Sequence, residues 1–340
     1  MKIIYFDVED YEETYLVEKN ENIYDYKLES DSLNSLTPLD SDYVDADIIS
    51  VFTTSRIDEK VLKQFKNLKL IALRSVGYNH VDLDYCKQHN IAVVNSPNYG
   101  NITVSEFALA LLLDVTRKVT LSYSEYKNAK VSPKSLMGTE LSGKTIGIVG
   151  LGAIGSAFAK IAHGLDLKIL ACDKKQKKEM IEKYGVQYVD FDTLLINSDF
   201  ISIHAPLTDE NYHMFNSEAF DKMKPSSIII NTGRGELIDS QALYNALIMG
   251  KIAGAGLDVL ENEQTMMDND YMIGINRLNK LTLTQTIINN RLFQLENVII
   301  TPHIAYNTHE AINRILVTTM ENINAFISGK IQNSVMSKSK

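Results

Sequence analysis

Residues 145–155 read TIGIVGLGAIG, an apolar run that breaks at once into Gly150-x-Gly152-x-x-Gly155. Thr145 to Val149 suits a strand of a parallel sheet covered on both faces, and Ser156 to Leu165 continues as a helix. Three glycines at this spacing also occur in ordinary turns. Between a strand and a helix they acquire a physical purpose: a tight turn, close approach of the backbone to a pyrophosphate, and close packing of the helix, whose N-terminal amides face the phosphate charge. Asp173 stands at the end of the next strand candidate, where it would accept hydrogen bonds from the adenosine ribose and repel a 2′-phosphate. The stretch therefore predicts a dinucleotide site for NAD. The run Lys174-Lys175-Gln176-Lys177-Lys178 could instead draw a 2′-phosphate in; it reads most simply as the solvated start of a helix.

Working outward, the same alternation repeats on both sides. After Lys144 the strand candidates are Thr145–Val149, Lys168–Ala171, Phe200–Ile203, Ser227–Ile230, Ala253–Leu257 and Val298–Ile300, with helical segments between most of them. Before it stand Ile3–Phe6, Ile48–Phe52, Leu70–Leu73 and Ile91–Val94, with helices expected over Asp58–Phe65 and His80–His89. Strands alternating with helices predict an α/β chain of two doubly wound parallel-sheet domains. The order suggests a discontinuous arrangement: residues 1–100 with 305–335 form one domain, and residues 101–304 form the other. Thr103 to Lys118 reads as a helix that is apolar almost all round, which implies burial and suggests a subunit interface. A final helix is expected over Thr308–Ile327, followed by a disordered tail from Ser334 to Lys340.

Composition narrows the functional classes. At 340 residues and 45% hydrophobic content the chain suits about two globular domains. No apolar run approaches the roughly 20 residues of a membrane span, and the N-terminus lacks a signal-peptide profile, so a cytoplasmic protein is expected. The net charge of −9 argues against nucleic acid as a partner. Cys86 and Cys172 are isolated, and no cluster has metal-ligand spacing, so neither disulfide nor metal is expected.

In open parallel sheets, ligands bind outside the carboxyl ends of the strands. There the sequence places Gly150–Gly155, Asp173, His204-Ala205-Pro206, Asn231-Thr232-Gly233-Arg234-Gly235, Asp258 and Thr301-Pro302-His303. Arg234, flanked by glycines, is open to a planar anion, and guanidinium geometry suits a bidentate carboxylate. The run GLDVLENE (Gly256–Glu263) offers Asp258, Glu261 and Glu263, one of which could hold a histidine as imidazolium and make it a proton donor. Spacing alone does not choose among the three.

These parts together resemble the D-isomer-specific 2-hydroxyacid dehydrogenases, most closely their D-lactate branch. The likeness rests on RSVGYNHVDLDYC (Arg74–Cys86), NYGNITVSEFALALLL (Asn98–Leu113), GIVGLGAIG (Gly147–Gly155), HAPLTDEN (His204–Asn211), INTGRGELID (Ile230–Asp239), GLDVLENE and NVIITPHIAYNT (Asn297–Thr308). It implies a Rossmann NAD-binding domain inserted in a flavodoxin-like substrate domain, a homodimer built with the Thr103 helix, and a 2-keto or 2-hydroxy acid substrate. It also implies a catalytic trio of Arg234, Glu263 and His303. By the same resemblance Val76 and Gly77 hold the substrate carboxylate, Tyr99 lies over the substrate, and Tyr306 is a candidate for size selection. Gly150, Gly152, Ala153, Ile154, Gly155, Asp173, His204, Ala205, Pro206, Asn211, Thr232, Gly233, Arg234, Asp258 and His303 match cofactor positions. The chain departs from the usual pattern at Asn101-Ile102 and at Phe107, where relatives often carry histidine. The expected activity is NADH-dependent reduction of pyruvate to D-lactate. Reduction of hydroxypyruvate or 2-ketoisocaproate, and an NAD(H)-sensing corepressor, are the alternatives.

Overall fold

The computed structural model describes residues 1–20, 24–37, 39, 41–129, 136–263 and 280–336. The chain divides into two compact units, one of residues 1–99 with 307–340, the other of residues 100–306.

The first unit carries five parallel strands: β1 (Lys2–Tyr5), β2 (Asp25–Leu28), β3 (Ile48–Val51), β4 (Leu70–Leu73) and β5 (Ala92–Val94). Their order is β2-β1-β3-β4-β5, so the winding reverses between β1 and β3, as in flavodoxin-like sheets. The central strands IISV and LIAL are buried at every position. The helix His309–Ile327 returns from the far end of the chain and buries Ile312, Ile315, Leu316, Met320 and Ile323 in this unit. Thr308 starts it by accepting from the Ala311 amide. Strand β2 and the helix Asp10–Asn20 lie outside the sequence expectation.

A buried polar network and a returning C-terminal segment hold this unit together. Arg74 is fully buried, pairs with Glu12 at 3.2 Å, and donates from Nη2 to the carbonyls of Phe6 and Asp7 at 2.7 Å each. Its guanidinium ties β4 to the end of β1, the satisfied geometry that a buried charge requires. The expectation of a disordered tail from Ser334 is corrected for the described residues. Ser334 bridges antiparallel to Val94, and the Val335 amide donates to Val93. Val335 and Met336 pack on the core, an apolar pair inside a stretch that reads as polar.

The second unit carries seven parallel strands: β6 (Thr145–Val149), β7 (Lys168–Cys172), β8 (Gln187–Tyr188), β9 (Phe200–Ile203), β10 (Ile228–Asn231), β11 (Gly254–Leu257) and β12 (Val298–Ile300). The order β12-β11-β10-β9-β6-β7-β8 reverses direction between β6 and β9, the arrangement of a Rossmann sheet. The turn after β6 therefore opens at the switch point. The helix Asn101–Arg117 turns Ala108, Leu111 and Leu112 into this unit's core. Much of its apolar surface is thus covered within one chain. Ile102 and Leu113 remain exposed, with Val119, Tyr123 and Tyr126 on the next helix, Val119–Lys127.

Candidate active site

The glycine-rich turn departs from β6 as its sequence requires. Gly150 has φ +89°, and Gly155 lies so close to the Gly150 carbonyl that a β-carbon there would collide with it. Gly152 differs: a β-carbon there would meet no protein atom within 4 Å. Nothing in the protein crowds that position, which leaves its backbone open to a ligand. Ala153 and Ile154 begin the helix Ala153–Gly164, whose amides face the same space. Asp173, at the end of β7, accepts from the amides of Leu151 at 2.6 Å and Lys175 at 2.8 Å, which fixes its carboxylate beside the turn. A cleft of about 500 Å³ opens there, lined by Asp173, Gln176, Tyr188, Val189, Asp190 and Thr193. These residues fit the adenosine half of a dinucleotide.

Beyond β9, the His204 ring sits between Phe158, Ser202 and Thr232. Its Nε2 lies 2.9 Å from the Ser202 hydroxyl. Burial pushes its pKa down to about 3, which favours the neutral ring. Ala205 and Pro206 continue the loop, and Asn211 closes it by donating to the Pro206 carbonyl and accepting from the Thr208 amide. At the end of β10, Asn231 accepts from the Gly233 amide and donates to the Arg234 carbonyl. This short lock holds Thr232, Gly233 and Arg234 at the sheet edge.

The structure separates the three carboxylates that spacing left equivalent. Asp258, 1% exposed at the end of β11, accepts from the Thr301 hydroxyl at 2.6 Å and from the amides of Ile304 at 3.0 Å and Ala305 at 2.8 Å. Burial raises its pKa, although these bonds pull the other way. Glu261 accepts from the Tyr212 hydroxyl at 2.9 Å and lies 3.1 Å from His213 Nε2. Glu263 meets His303: Oε1 lies 2.5 Å from Nδ1, while Oε2 accepts from the Leu260 amide at 3.1 Å. Two of the acids thus face a histidine, and the one facing His303 is Glu263.

His303 stands in a left-handed conformation, φ +53°, with its amide donating to the Asp258 carbonyl at 2.9 Å. A histidine in that region carries a backbone cost of about 1–3 kcal/mol. Asp258 holds the turn in place from its carbonyl and from both carboxylate oxygens. Burial alone would lower the His303 pKa. The hydrogen bond and charge of Glu263, helped by Asp258, outweigh both burial and the opposing charge of Arg234, so the pKa rises above the ordinary histidine value. The ring remains 40% exposed. The pair therefore favours the protonated ring, and the ring is not sealed from solvent.

Gly235 brings the arginine loop against the acid loop. A β-carbon there would run into the Leu260–Glu261 peptide, and Asn289 fixes the same segment by donating to the Glu261 carbonyl at 2.9 Å. Arg234, the preceding residue, is thereby set beside the segment that ends in Glu263. We expect Gly235→Ala to destabilise the fold by about 1–3 kcal/mol through overpacking. Urea unfolding should show a lower midpoint with the same slope. An unchanged midpoint would mean that this approach is not tight.

Residues 109–305 match the family described as the D-isomer specific 2-hydroxyacid dehydrogenase, NAD binding domain. The chain belongs to the D-isomer-specific 2-hydroxyacid dehydrogenases. It is similar to the D-lactate dehydrogenase of Escherichia coli, 35% identical over 332 residues that cover 97% of this chain and 98% of that one. It is also similar to the glyoxylate reductase of Thermococcus litoralis, 38% identical over 301 residues, 86% of this chain and 84% of that one. Among solved structures, the D-lactate dehydrogenase of Aquifex aeolicus complexed with NAD and lactic acid superposes with a TM-score of 0.87 at 32% identity, covering 99% of this chain and 100% of that one. As a member of the D-2-hydroxyacid dehydrogenase family, the chain is an NAD-dependent oxidoreductase acting on 2-hydroxy acids.

Among the residues expected at the site from the sequence, in the first unit Val76 is exposed after β4, and the Gly77 carbonyl accepts from the Ser75 hydroxyl at 2.7 Å. The Tyr99 carbonyl accepts from Arg314 Nε at 2.8 Å. In the second unit, Tyr306 is half-buried past the His303 turn. The sequence reading missed Tyr212 and His213. A Tyr-His pair in a polar loop gives no periodic signal, and its partner Glu261 is remote in the chain.

Proposed function

We propose that this chain is a D-lactate dehydrogenase that reduces pyruvate to D-lactate with NADH. The observation that carries the reading is the Glu263–His303 pair, on the same sheet edge as the glycine-rich turn and close enough to Arg234 for its charge to act on the histidine. The near-complete coverage of D-lactate dehydrogenases supports lactate as the product.

Bound NADH supplies the hydride. His303 gives its proton to the carbonyl oxygen of the keto acid, and in the reverse direction its neutral ring takes the hydroxyl proton. Glu263 keeps the ring charged and oriented, and Arg234 binds the substrate carboxylate and polarises the carbonyl. We assign carboxylate contacts also to the amides of Val76 and Gly77, and contacts with the substrate's body to Tyr99 and Tyr306. In this reading, residues 1–100 with 305–335 are the substrate domain and residues 101–304 the NAD domain. We also infer a homodimer, which would cover the exposed Val119, Tyr123 and Tyr126 beside the Asn101–Arg117 helix.

The test is NADH oxidation with pyruvate, glyoxylate, hydroxypyruvate, 2-ketobutyrate and 2-ketoisocaproate. Pyruvate should give the highest kcat/KM, with D-lactate as the product. The identity to a glyoxylate reductase favours a second reading, a reductase of another short 2-keto acid. A higher kcat/KM with glyoxylate or hydroxypyruvate would establish it in place of the first.

A further inference from the structure

The basic run after β7 is exposed throughout, as expected, but its lysines make different contacts. The helix begins at Lys178, and the lysines before and within it go separate ways. Lys174 pairs with Glu210 at 2.5 Å, and Lys178 pairs with Glu182 at 3.4 Å, both on the surface. Lys177 instead lays its side chain across the glycine-rich turn. Its Nζ donates to the Gly152 carbonyl at 3.0 Å and to the Ser156 hydroxyl at 2.8 Å. Its backbone amide donates to the Tyr188 hydroxyl at 2.9 Å, and Tyr188 lines the cleft that also contains Asp173.

The ammonium is thus held at the edge of the adenosine cleft by two neutral acceptors. Among the described residues no carboxylate forms a salt bridge with it, whereas Lys174 and Lys178 have each found one. Its hydrogen bonds go to neutral oxygens, so an anionic oxygen within reach adds an opposite-charge attraction that those partners do not supply. Gly152, whose carbonyl Lys177 grips, is also the position where the backbone is open to a ligand.

We propose that Lys177 binds a phosphate on the adenosine half of the dinucleotide. The inference rests on the dinucleotide assignment and adds to it a side chain from outside the glycine motif. In that arrangement the Asp173 carboxylate accepts from ribose hydroxyls, while the Lys177 ammonium draws phosphate oxygen.

The test compares wild type with Lys177→Met and Lys177→Arg by fluorescence titration with NADH and with NADPH. Thermal melting of the apo proteins checks that the variants fold. Lys177→Met should weaken binding about tenfold, the size of a lost charge-assisted bond, and Lys177→Arg should restore most of it. Equal losses with both cofactors would place the contact at the pyrophosphate, and a loss confined to NADPH at the 2′-phosphate. Wild-type affinity should also fall with added salt more steeply than that of Lys177→Met. Unchanged dissociation constants for both cofactors in a folded Lys177→Met protein would overturn the proposal. Failure of wild type to bind either cofactor would overturn the dinucleotide assignment itself.

Discussion

His303→Ala is expected to lower kcat for keto acid reduction by about 100- to 10,000-fold, the range that a positioned general acid supplies. NADH binding should survive, because the cofactor contacts assigned to the glycine turn and to Asp173 are untouched. The pH dependence gives a finer test. Glu263 raises the His303 pKa against the effect of burial, so the protonated donor persists to higher pH than for an ordinary histidine. Reduction should hold steady at low pH and decline as pH rises through that pKa. Oxidation of the hydroxy acid, which needs the neutral ring, should rise over the same interval. Glu263→Gln retains a hydrogen-bond acceptor but loses the charge, and should shift both limbs to lower pH. A His303→Ala enzyme with full turnover would exclude the proton-donor role, whatever the rest of the site does.

Arg234→Met should reduce kcat/KM by about 100- to 1,000-fold, comparable to removing a preorganised donor from a developing oxyanion. A large part should appear in KM for the keto acid, since the guanidinium also binds its carboxylate. In the structure Arg234 Nη1 donates to the Gly233 carbonyl at 2.7 Å, which anchors the head group to the rigid end of β10. Lysine carries the charge without the planar fork, so Arg234→Lys should recover only part of the loss. A second signature separates electrostatics from simple misfolding. The positive charge of Arg234 lowers the His303 pKa. Its removal should move the pH limb upward, opposite to Glu263→Gln. A downward shift, or none, would mean that the arginine does not act on the histidine.

Much of this could be read from the sequence because parallel strands buried on both faces leave continuous apolar runs, as in IISV and LIAL. Strand β2, DYKL, left none: it lies at the sheet edge and no position in it is fully buried. The helix Asp10–Asn20 was equally hidden, since its buried residues are Glu12, Leu16 and Asn20, two of them polar. The reason for Glu12 is Arg74, a partner too far along the chain for any local pattern to reveal. The same limit applied at the site. Asp258, Glu261 and Glu263 were visible as a group, but their partners come from the segments around Thr301, Tyr212 and His303. Composition likewise made the tail from Ser334 look polar and unstructured, while Val335 and Met336 carry its packing.

That tail also guards against misassembly. β5 is the last strand of its sheet and would otherwise present backbone donors and acceptors to any passing extended chain. The Asn333 carbonyl accepts from the Asn95 amide, Ser334 bridges to Val94, and the Val335 amide donates to Val93. The chain thus occupies its own exposed edge with a short antiparallel segment, which denies that edge to another molecule and protects the protein against strand-by-strand aggregation.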